Sequence, residues 1–90
     1  MSKRQKRLER IRRNIKNVSF EDLRSVLLDL GFEQVRSSGS HHMFSIIIEG
    51  ESRTLAIPFR RPVKPEYVRQ SLDLIDIILA GQDEDDEDDE

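Results

Sequence analysis

The sequence predicts an α+β fold: a three-stranded antiparallel sheet with two helices on one face, in the order α-β-β-β-α, and a further basic helix in front. Three observations carry this expectation. Apolar residues recur at spacings of three and four near residues 20–30 and again near 68–79, the period of a helix with one buried face. Between those stretches lie three short runs separated by Ser- and Gly-rich turn clusters. With 90 residues, 36% hydrophobic and 37% charged, the chain can bury a core only in its central part.

In chain order, residues 3–15 carry Leu8, Ile11 and Ile15, followed by Val18, a narrow apolar stripe on a helix otherwise made of Lys and Arg. Such a helix can dock one edge on the domain, or serve as a basic arm that contacts nucleic acid, and the two are compatible. Ser19 reads as the N-cap of the next helix, with Glu21 and Asp22 in the first turn, where carboxylates favour the helix dipole. Phe20, Leu23, Leu27 and Leu30 repeat at helical spacing with Val26 beside them, and Gly31 supplies the stop. A first strand runs from Phe32 to Ser37, a turn from Ser37 to Ser40, and a second strand from His41 to Glu49. Gly50, Glu51 and Ser52 read as a hairpin turn, and Arg53 to Ile57 as the third strand, ended by Pro58. The loop from Phe59 to Lys64 is basic and stiffened by Pro62. Pro65 then suits the first turn of a last helix, where its missing N–H costs nothing. Val68, Leu72, Ile75 and Leu79 form its inner stripe with Leu74 and Ile78 alongside, and Gly81 reads as its stop. The chain thus divides into a basic helical arm (1–17), a folded domain (18–80) and a disordered acidic tail (81–90). The order helix, strand, strand, strand, helix is that of the double-stranded-RNA-binding fold.

The formal charge of −3 hides a polarity. Eight basic residues lie between Ser2 and Lys16 against the single acid Glu9, whereas Asp83 to Glu90 are all acidic. Without those eight acids, residues 1–82 carry +5, so the folded part attracts phosphate backbones. The acidic end is most simply a solvating segment; the alternative is that it imitates a polyanion and covers a basic surface. There is no cysteine, which excludes disulfides and thiolate zinc sites. No apolar run approaches the ~20 residues that span a membrane, and no signal peptide is visible, so the expectation is a cytoplasmic protein with no membrane partner.

Chemistry concentrates at Gly39, Ser40, His41 and His42. Both histidines of the chain stand back to back at the mouth of its most apolar strand, and histidine is the side chain that exchanges a proton near neutral pH unaided. RNA carries its own nucleophile in the 2′-hydroxyl. A histidine that moves a proton, with a few cations to offset the phosphate charge, suffices to cleave it without metal or cofactor. Strand residues alternate faces. His42 shares parity with Phe44, Ile46 and Ile48, the expected core row, and His41 with Met43, Ser45 and Ile47, the expected open row. His41 is therefore the first candidate for the general acid or base. His42 remains the second, because bulges at a strand start can break the alternation. Both could also be structural. Adjacent strand histidines cannot turn to one ion, which argues against a metal site. Arg60, Arg61 and Lys64, just before a helix N-terminus, suit a phosphate. Gly39 and Ser40 form a turn that lets a backbone approach RNA, and Arg36 is a weaker phosphate candidate.

The run from Leu30 to Phe44, Leu-Gly-Phe-Glu-Gln-Val-Arg-Ser-Ser-Gly-Ser-His-His-Met-Phe, resembles the HicA-type toxins, the YcfA-like family. The shared pattern is a helix ending in Gly-aromatic, a short strand, then Gly-Ser-His-His and an aromatic. A third strand ending in Ile57-Pro58 and a basic loop before the last helix match as well. The resemblance covers roughly residues 19–79; the basic arm and acidic tail lie outside it. It implies a small endoribonuclease that cuts mRNA, held silent by a HicB-type antitoxin protein, with the histidine of Gly-Ser-His-His catalytic. The alternative is a non-catalytic RNA-binding module of the same fold, in which the histidines are contacts or packing.

Overall fold

The computed structural model describes residues 3–39 and 41–86, without the side chains of residues 36–38 and 82–86. Its elements are α1 (Lys3–Arg13), α2 (Phe20–Asp29), β1 (Glu33–Ser38), β2 (His41–Ile48), β3 (Glu51–Pro58) and α3 (Pro65–Asp86). The strands form one antiparallel sheet in the order β1-β2-β3, so the predicted α-β-β-β-α architecture with an extra helix in front is the observed one.

Ser19 caps α2 as its sequence position implies: extended backbone, with its Oγ accepting from the Asp22 N–H at 3.1 Å. Phe20, Leu23, Val26 and Leu27 bury the inner face of α2 against Phe44, Leu55 and Ile57 of the sheet and Val68 and Ile75 of α3. Along α3 the deepest residues are Val68, Ser71 and Ile75, while Leu72 and Leu79 are only partly buried. Ser71 falls on the apolar stripe by spacing, and its hydroxyl is satisfied by donating to the Tyr67 carbonyl at 2.9 Å.

Besides a one-residue shift of β1, which runs Glu33–Ser38 instead of Phe32 to Ser37, three features differ from the sequence reading. The β2–β3 turn is Glu49-Gly50 rather than Gly50 to Ser52, with φ of 52° and 83°, and β3 begins two residues early at Glu51. Two successive positive φ values match the right-handed strand twist, and glycine takes the second without strain. The helix α3 runs through Gly81 to Asp86 instead of stopping. A glycine ends a helix by adopting a left-handed conformation, and Gly81 is not among the glycines with positive φ. The predicted disordered tail is thus helical over residues 81–86, and residues 87–90 lie outside the described residues. Finally, α1 shares the main core rather than standing apart as an arm. Leu8 and Ile11 are buried with the rest, and Arg7, Arg10 and Arg12 pair with Asp22, Asp29 and Asp76 on α2 and α3. The docked reading of this helix is the one observed. Among the described residues no helix is long and apolar enough to cross a membrane.

Candidate functional site: the histidine hairpin and the basic loop

Between Val35↔Met43 and Ser38↔His41, β1 spends one residue more than β2, a bulge that lies on β1 alone. On the other side β2 pairs with β3 without a break, from His41↔Pro58 to Ile48↔Glu51. Alternation along β2 therefore holds through both histidines. Phe44 is fully buried, His42 half-buried and His41 exposed. The histidines face opposite ways, as parity demands.

His42 has a built environment. Its ring lies 4.8 Å from that of Phe20 and 6.1 Å from that of Phe59, between centroids. Arg24 Nε donates to Gln34 Oε1 at 2.7 Å, which fixes the orientation of the amide. The Gln34 Nε2 is thereby turned to His42 Nδ1 at 3.1 Å and donates to it. With Nδ1 accepting, the neutral imidazole holds its hydrogen on Nε2. Sequence reasoning missed Arg24 and Gln34 in this role, because the reach of Gln34 to His42 depends on a register that the β1 bulge shifts.

His41 stands on the uncovered face, at the end of the sheet where Gly39 turns the chain with φ of 63°. No atom would meet a Cβ at Gly39 within 4 Å, so its backbone conformation alone calls for glycine. Ser40 lies outside the described residues, as does the side chain of Arg36 on β1.

The basic loop is tied down at one point, with its cations in solvent. Val63 is fully buried, and its N–H donates to the Val18 carbonyl at 2.9 Å. Arg60, Arg61 and Lys64 are exposed on that anchored segment, directly before the N-terminus of α3. Arg61 lies over the ring of Phe59, 5.3 Å from guanidinium carbon to centroid, and approaches Glu21 at 3.9 Å. Because His41 pairs with Pro58, the chain passes from the partner of His41 into this loop within two residues. The hairpin histidines and the cations, far apart in sequence, thus share one end of the sheet. Phe59 was also missed as a contributor, although an aromatic residue directly before two arginines is a visible signal.

One end of the sheet thus carries an exposed imidazole on its open face, an oriented imidazole on the opposite face with Phe59 beside it, and exposed cations just before a helix N-terminus. Those are the components for handling a phosphodiester. Among the described residues, no three His, Asp or Glu side chains gather as a metal site. No protein-family model matches this chain, and neither does any curated protein or solved structure.

Proposed function

We propose that the protein is a HicA-type toxin, an endoribonuclease that cleaves mRNA in the cytoplasm by histidine acid/base catalysis and is silenced by a HicB-type antitoxin. The observation that supports this reading most is the β2–β3 register, which brings exposed His41 to the sheet end that continues into Arg60, Arg61 and Lys64. In the reaction the 2′-hydroxyl loses its proton and its oxygen attacks phosphorus, the bond to the 5′-oxygen breaks, and that oxygen is protonated. A cyclic phosphate and a free 5′-hydroxyl result. His41 acts as the general acid or base, and the loop cations with the first turn of α3 offset the phosphate charge. No metal enters this scheme. The purified protein should cleave single-stranded RNA in the presence of a chelator and leave cyclic phosphate ends, and His41→Ala should not. Loss of activity with chelator would sink the metal-free route.

A second reading, a non-catalytic RNA-binding module of the same fold, is favoured by one observation: His42 is engaged in packing with Phe20 and in a hydrogen bond to Gln34, a role that needs no chemistry. Tight RNA binding with no cleavage of any RNA and no effect on growth when expressed would decide for it.

A further inference from the structure

We propose that Phe59 and Arg61 form a stacking site for an unpaired base of single-stranded RNA. This deepens the RNA-binding reading and rests on it. Among the described residues four large apolar side chains are exposed: Val35, Ile47, Phe59 and Ile77. Of these Phe59 alone is aromatic, and two cations, Arg60 and Arg61, follow it directly. It exposes 39% of its surface, yet its ring is not adrift. Phe20 meets it edge-on at 5.1 Å, and His42 lies beyond at 6.1 Å, so it is held from the core side. The Arg61 guanidinium lies over that ring and within 3.9 Å of Glu21, and the loop itself is pinned by Val63. An exposed aromatic ring held from the core side, with an exposed guanidinium beside it, is what an unstacked nucleobase lies against.

Phosphate recognition alone would need only Arg60, Arg61 and Lys64. An exposed ring among them adds a surface that a phosphate does not use and a base does. The consequence is selection for strand state: bases in a duplex are already stacked and cannot reach the ring. Because every base has a π-face, this site by itself reads little sequence.

The test uses the full chain and short RNA oligonucleotides whose 2′-oxygens are methylated, so that the proposed cleavage cannot occur. Affinities are measured for a base-bearing strand, a strand of the same length with abasic positions, and a duplex. The unaltered protein should bind the base-bearing strand roughly tenfold or more tightly than the abasic one. Phe59→Leu, which keeps an apolar contact to Phe20 but has no ring, should lose that preference while keeping the salt dependence of binding. Arg60→Gln should weaken both strands alike and flatten the salt dependence. Equal binding of base-bearing and abasic strands by the unaltered protein overturns the stacking site but leaves RNA binding standing. Failure to bind any strand overturns both. If Phe59→Leu does not fold, the comparison of strands on the unaltered protein still decides the matter.

Discussion

His41 and His42 are consecutive in sequence and opposite in surroundings, and the difference should be measurable in stability. His41 is exposed on the open face. His41→Ala should therefore abolish cleavage with little change in melting temperature. His42 packs on Phe20 and accepts from Gln34. Its truncation leaves a part-buried amide without that partner and should cost about 1–3 kcal/mol, read from denaturant unfolding of both variants. A stable His42→Ala protein without activity, beside an active His41→Ala, would reverse the assignment of roles. At this scale the face of each histidine was legible, because alternation along β2 is unbroken. The Arg24–Gln34–His42 chain was not, because one extra residue in β1 decides which β1 side chain reaches the ring.

Elements were legible where a local chemical cause acts alone. Ser19 with Glu21 and Asp22 starts α2, Pro65 starts α3, and the alternation of β2 marks the buried row. Ends set by backbone geometry were not. Nothing in the composition reveals that Glu49 takes a positive φ or that Gly81 does not. For α1 the spacing of Leu8 and Ile11 was visible, but their depth was not, since that depends on α2 and α3 being there to receive them. Depth makes a test. Ile11 is 2% exposed, so Ile11→Ala should destabilise the whole domain by about 2–5 kcal/mol in urea unfolding, as core truncations do. A freely solvated arm would show almost no change.

Over the whole molecule, part of the charge of the basic segment in front is taken up within the fold. Arg7, Arg10 and Arg12 are already matched to acids of α2 and α3, and Arg4 donates to the Asp29 carbonyl. Such exposed pairs contribute little stability, roughly 0–1 kcal/mol each, but they fix where charge sits. Among the described residues Arg60 and Lys64 form no ion pair, while Arg61 approaches Glu21, so two charges of the loop before α3 stay available to the phosphate of the proposed function. The continuation of α3 to Asp86 sets the reach of the acidic end. From Pro65 to Asp83 the helix rises roughly 27 Å at ~1.5 Å per residue. That is more than three Debye lengths at physiological salt, ~8 Å, but within one at ~0.01 M, ~30 Å. Deleting residues 83–90 should therefore tighten RNA binding at low ionic strength and change it little at physiological salt. Binding curves for both forms at the two salt concentrations check this. Coincident curves at low salt would make the acids a purely solvating end. A difference that persists at physiological salt would mean that they act at shorter range, on the basic residues of α1, whose Arg12 already meets Asp76 of α3.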